Sequence, residues 1–168
     1  MALLEILLPA ARRLSAAACA LALCAGASAQ LRAPAAPAAP AAGSPSQTAA
    51  DQADKEDQGQ RAAIAWLVLL DQGEWGAAWR ESSALFRNSV PLEQWLDAAP
   101  KLRLPWGLPQ QRVAHGAAYR NALPGRPAGD YVTASFVSSY SDNPEVEEIV
   151  TTVREADGNW RVSGYATR

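Results

Sequence analysis

Cysteine and histidine are almost missing from this chain: Cys19 and Cys24 are its only thiols and His115 its only imidazole. Both cysteines fall in an N-terminal stretch that reads as a leader. The mature chain is therefore expected to carry no thiol, which excludes a disulfide, a cysteine nucleophile and a thiolate metal site together. With one histidine, a zinc site would have to be built mainly from carboxylates, so no metal and no other cofactor is expected. Positive charge is also short: 15 Lys and Arg against 17 Asp and Glu leave -2 over the chain, and removing Arg12, Arg13 and Glu5 with the leader leaves -3. Phosphate neutralisation needs a net basic face, so nucleic acid is not an expected partner. No serine stands in a nucleophile-elbow context, and Asp142-Asn143-Pro144-Glu145 lacks the spacing of a calcium loop. No residue set reads as catalytic.

A long hydrophobic run is missing as well. The apolar stretch from Leu14 to Leu23 that follows Arg12-Arg13 is well short of the about 20 residues that a bilayer span needs. It is the core of a signal peptide, and Ala27-Ser28-Ala29 supplies the small residues that signal peptidase accepts, so residues 1–29 are expected to be removed by cleavage before Gln30. No permanent membrane span is expected after cleavage, and the chain is placed in the periplasm or outside the cell. Residues 30–60 begin with an Ala/Pro-rich run, LRAPAAPAAPAAGSP, read as an extended flexible linker. Residues 61–168 remain for a single domain.

The polar stretch from Asp51 ends in AAIAWLVLL and is closed by Asp71-Gln72-Gly73, the pattern of a helix with a buried second half. Trp75, Ala78, Trp79, Ser82, Ser83 and Phe86 recur at helical spacing and predict a second, aromatic-striped helix. A third begins near Ser89 with Leu92, Trp95, Leu96 and Ala99 on its apolar side, and Pro100 and Pro105 are expected to end it. After Pro109 the texture changes. Residues 111–119, 131–140, 146–155 and 160–167 are rich in Val, Thr, Ile and aromatics and are separated by Gly, Pro, Asn and Asp. Helices followed by strands give an α+β fold, with three N-terminal helices packed on one face of a four-stranded antiparallel sheet.

Several of these residues recur together: Trp66-Leu67 with Asp71 and Gly73, Trp79, Trp95, the run from Arg103 to Gly107 with Arg112, and the closing segment from Glu155 to Tyr165. In that order the set resembles a bacterial family of exported domains of unknown function, family 4019. The likeness covers the whole domain and implies export and this fold; it implies no activity. The arrangement also looks like the nuclear-transport-factor-2-like or cystatin-like group, in which a curved sheet wraps helices and can form a pocket, although no strand is found between the second and third helices.

Residues 98–129 contain Lys101, Arg103, Arg112, Arg120 and Arg126 and no acidic residue. Such a band can bind an anion, or its arginines can pair internally with Asp71, Asp97 or the glutamates of the third strand; internal pairing is favoured because the chain is slightly acidic. Glu145, Glu147 and Glu148 themselves read as a solvated strand edge. Trp106, between Pro105 and Gly107, is the tryptophan most suited to partial exposure and binding. The ligand-binding candidates are thus Arg103, Trp106, Arg112, His115 and Tyr165. The function expected is that of an exported noncatalytic binding or interaction domain for a small molecule or an envelope protein. The alternatives are a small pocket enzyme of isomerase or hydrolase type, with His115 or Tyr165 as proton carrier, and a structural envelope component.

Overall fold

The computed structural model describes residues 45–168. The leader, its cleavage point, both cysteines and the spacer up to residue 44 lie outside the described residues. Helix α1 runs Pro45–Asp71, so it takes in residues 45–60, which composition assigns to the linker. Between Ser46 and Gln58 there is neither proline nor glycine, and the polar side chains of this half find partners on the sheet. Lys55 Nζ donates to Tyr119 OH at 3.1 Å and to Asp130 Oδ1 at 2.9 Å, Glu56 Oε1 accepts from the Tyr119 N–H at 2.9 Å, and Gln58 Oε1 accepts from Trp160 Nε1 at 3.2 Å. Gly59, Ala63, Trp66, Leu67 and Leu70 make one buried stripe along the helix. Gly73, at φ +73°, turns the chain out of α1, a conformation that suits glycine.

Four helices precede the sheet among the described residues, one more than the sequence pattern predicts. The aromatic stripe expected as one helix is split into α2 (Trp75–Glu81) and α3 (Ala84–Ser89). The break is at Ser82 and Ser83, both extended: Ser83 caps α3 by accepting from the Phe86 N–H, and its own N–H donates to Val162 C=O at 2.8 Å. Side-chain capping outcompetes helix continuation at such a residue. Helix α4 (Leu92–Arg103) runs through Pro100 instead of ending there. A proline forfeits one backbone bond, but Trp95, Ala99 and Arg103 continue a buried stripe that holds the last turn in place. A short 3-10 turn, Leu104–Trp106, follows.

Strands β1 (Pro109–Arg120), β2 (Tyr131–Tyr140), β3 (Val146–Arg154) and β4 (Trp160–Thr167) form an antiparallel meander in the order β1-β2-β3-β4. Helix α1 contacts all four strands. Val132, Ala134, Phe136, Ser138 and Tyr140 of β2 face the helices, and the register sets Thr152, Val150, Glu148 and Val146 of β3 beside them. Trp160 shares that helix-facing side, as its contact with Gln58 shows. Where α1 crosses the sheet, a Cβ on Gly59 would lie 2.5 Å from Val132 Cβ and 2.8 Å from Thr152 Oγ1. Gly59→Ala is therefore expected to lose about 1–3 kcal/mol to overpacking in spite of alanine's better helix propensity, as urea denaturation would show.

Candidate functional site

Arg103 ends α4, Arg112 lies near the start of β1, Asp71 ends α1 and Glu148 sits in the middle of β3. The fold brings these four to one place. Arg103 Nη1 donates to Glu148 Oε1 and its Nη2 to Asp71 Oδ1. Arg112 forms a fork on Asp71, Nη1 to Oδ2 at 2.7 Å and Nη2 to Oδ1 at 3.0 Å, and its Nε reaches Glu148 Oε2 at 3.1 Å. Ser138 Oγ, Tyr140 OH and Tyr165 OH also donate to Glu148, at 2.5, 3.0 and 2.9 Å. Each tyrosine oxygen in turn accepts from an arginine, Tyr140 from Arg112 and Tyr165 from Arg103, both at 2.9 Å. Two positive and two negative charges cancel, and no buried side-chain nitrogen or oxygen among the described residues lacks a partner.

Glu148 is 0% exposed and Arg103 4%. Burial alone would raise the Glu148 pKa, but Arg103, Arg112, Ser138 and Tyr165 together hold it below the ordinary carboxylate value. Its contribution to stability is present above the unfolded-state pKa and is lost as pH falls through the lowered one. Burial likewise opposes charge on Arg103 and Arg112, and the surrounding carboxylates and tyrosines outweigh it, so both guanidinium groups are held above their usual range. Burial and the charge of Glu148 push the Tyr140 hydroxyl up to about 12, and Tyr165 is pushed up for the same reasons. A raised tyrosine pKa adds stability that is complete below the unfolded value of about 10 and disappears as pH climbs through the folded value. Unfolding free energy is expected to hold to about pH 10 and then to fall by about 1.4 kcal/mol per pH unit per tyrosine. Urea denaturation between pH 8 and 12 checks this, and Tyr140→Phe should remove one tyrosine's share of the slope.

Of the ligand-binding candidates, Arg103, Arg112, Tyr165 and Trp106 meet here. Trp106 is half-buried, its ring 5.2 Å from that of Tyr140 and 4.9 Å from the Arg103 guanidinium carbon, so it roofs the ion cluster. His115 does not join them. A register shift between Ala114 and Gly116 puts a bulge at His115, and the inward-facing series passes from Arg112 and Ala114 to Ala117 and Tyr119. Val113, grouped by simple alternation with Ala117 and Tyr119, is consequently 51% exposed, and His115 is exposed at the bulge.

The position of Glu148 corrects its reading as part of a solvated edge, because β3 is an interior strand and Glu148 shares a face with the buried Val146 and Val150. No sequence motif marks its hydroxyl partners Ser138 and Tyr140, which reach it from the same face of β2. Asp97 pairs instead with Lys101, at 2.6 Å on the surface of α4.

Two clefts open near this core. One, of about 210 Å³, borders the ion cluster at Asp71, Arg103 and Tyr140, with Trp75, Leu104 and Leu108 as apolar walls. The other, of about 510 Å³, lies between α1, α2 and β4. Trp66, Leu69, Trp160 and Val162 form its apolar surface, and Glu81, Asn159 and Arg161 its polar one.

A family of proteins of unknown function, DUF4019, has a model that matches residues 62–165. The chain belongs to this family. The DUF4019 match takes in Asp71, Arg103, Arg112, Glu148 and Tyr165, and with them the whole ion cluster. None of the curated proteins compared with the chain matches it. A solved structure from Catenulispora Acidiphila is similar at 14% identity over 73% of this chain and 93% of that one, with a TM-score of 0.46.

Proposed function

We propose that the chain is an exported, noncatalytic binding domain whose ligand site is the cleft between α1, α2 and β4. Export rests on the leader pattern at Arg12-Arg13 and Ala27-Ser28-Ala29. The observation that carries the binding site is the lining of the 510 Å³ cleft, where the Trp160 indole and the side chains of Ala62, Ala65 and Leu69 stand beside polar groups from Glu81, Asn159 and Arg161, a concave surface that offers a small molecule both apolar contact and polar groups to orient it. The basic band favours this placement by what it lacks. Its inner arginines, Arg103 and Arg112, are neutralised by Asp71 and Glu148 and hold the helices to the sheet, so they have no free charge to offer an anion.

Binding is favoured over proton-transfer chemistry by the positions of the two proton carriers. Tyr165 is committed to Arg103 and Glu148, and neither Tyr165 nor His115 lines either cleft. A thermal-shift screen of small molecules, run in parallel on Trp160→Ala, tests the reading. Ligands of the cleft should raise the melting temperature of the native protein and lose that effect in the variant. Hits indifferent to Trp160→Ala would move the site elsewhere. No hits, together with capture of one envelope protein by the full chain, would favour the structural envelope component.

A further inference from the structure

The polar surface of the α1/α2/β4 cleft is electrostatically one-sided. Glu81, the last residue of α2, is exposed, lines the cleft and makes no ion pair or side-chain hydrogen bond among the described residues. Arg161, the cation on this lining, is already bound: Nη1 donates to Glu155 Oε2 at 2.8 Å and to Asp157 Oδ1 at 2.9 Å, and Nη2 to Asp157 Oδ2 at 2.7 Å. Asn159 turns its amide N–H toward Asp157 Oδ2 at 3.0 Å, which leaves its carbonyl oxygen as an acceptor. The charge of Arg161 is thus matched by two carboxylates, and the one unmatched charge on the lining is that of Glu81, beside the Trp160 ring and above an apolar floor of Trp66, Leu69 and Val162.

We infer that the ligand of this cleft is an organic ammonium ion, a primary or quaternary amine on an apolar body, with its cation between the Glu81 carboxylate and Trp160. The inference rests on the reading of the cleft as the binding site. A cation over an indole face gains from the ring quadrupole, and a carboxylate beside it adds Coulomb attraction, joined by a charge-assisted hydrogen bond where the ammonium carries an N–H. An anion would meet Glu81 unshielded, because the charge of Arg161 is already matched by Glu155 and Asp157. A neutral body of the same shape would gain only the apolar floor.

The full chain titrated with benzyltrimethylammonium, 2-phenylethanol and 3-phenylpropionate, with the Trp160 indole N–H followed by NMR, separates the possibilities. The ammonium is expected to bind about tenfold more tightly than the alcohol, a difference of ~1.4 kcal/mol, and the carboxylate more weakly than either. Glu81→Gln, at an exposed position, should fold normally and erase the preference, bringing the affinity for benzyltrimethylammonium down to about that for 2-phenylethanol in the same variant. Equal affinities for all three probes at Trp160 would overturn the ammonium inference and leave the cleft as the binding site. A preference that survives Glu81→Gln would overturn it too. No response of Trp160 to any probe would overturn both the inference and the site.

Discussion

Glu148→Gln is expected to destabilise the domain by about 3–5 kcal/mol, because it leaves Arg103 and Arg112 buried against the single charge of Asp71. Five side chains donate to the Glu148 carboxylate, from Arg103, Arg112, Ser138, Tyr140 and Tyr165. A glutamine keeps the shape of that side chain but loses the charge and presents an N–H₂ group to some of those donors. Arg103→Ala should cost a comparable amount from the other side, by leaving Glu148 with one cation in place of two. Charge balance makes a sharper test than either single variant. If the loss comes from an orphaned charge, Arg103→Leu combined with Glu148→Leu should unfold at a higher urea concentration than Arg103→Leu alone, since Arg112 and Asp71 remain as a neutral bidentate pair. A double variant less stable than the single one would mean that the two side chains stabilise through packing and hydrogen bonding more than through charge. Arg120 and Arg126 lie exposed at or near the β1–β2 turn, and their alanine variants should stay within about 0.5 kcal/mol of the native chain.

The two halves of this cluster differ in how far the sequence discloses them. An acid-free stretch from Ala98 to Gly129 is visible at once, and Asp71 at the end of an apolar helix is a natural partner for its arginines. Glu148 was legible only through parity: Val146, Glu148, Val150 and Thr152 alternate with Glu147, Ile149 and Thr151, so one glutamate of the run shares a face with two valines. Composition hides this, because three glutamates in four residues look like a solvated edge. Parity itself fails at His115, where a bulge exchanges the two faces of β1 and no residue type announces it. The split between α2 and α3 is a similar case. Ser82 and Ser83 satisfy helical spacing, and only the strand partner Val162 makes the capped break the better use of Ser83. The strands were clearer, since their β-branched runs are bounded by Gly, Pro, Asn and Asp, and their limits fall within about two residues of those expected. The α1/α2/β4 cleft had no such signal, because its walls come from segments up to about 100 positions apart.

Trp66→Ala is expected to remove about 3–5 kcal/mol, a large share of the stability of a domain this size. Among the tryptophans of the helical layer, Trp79 lies in the middle of the aromatic stripe predicted for the second helix, with Trp75 and Ser83 one turn away on either side. Trp79 does pack at the margin of the core and donates from Nε1 to Val90 C=O at 2.8 Å, but it is only half-buried. Trp66 is 3% exposed and touches every layer of the fold. Its ring lies 6.3 Å from Phe86 of α3, 5.7 Å from Trp95 of α4 and 5.3 Å from Tyr165 of β4, while its Nε1 donates to Ala78 C=O and Ser82 Oγ of the second helical segment. Truncation would leave a cavity bordered by three aromatic rings that are themselves held in place: Trp95 Nε1 donates to Trp75 C=O at 2.8 Å, and Tyr165 is fixed by Arg103 and Glu148. Such walls cannot collapse cheaply, which places the loss toward the upper end of the range. Trp79→Ala, whose site opens to water on one side, should cost about half as much. Trp66→Phe separates volume from hydrogen bonding, since it refills most of the space and forfeits the indole N–H contacts to α2. A loss of about 1–3 kcal/mol is expected for it. Urea denaturation of the three variants decides the assignment: if Trp79→Ala proves the more costly of the two truncations, the centre of the core lies between α2 and α4 and not on α1.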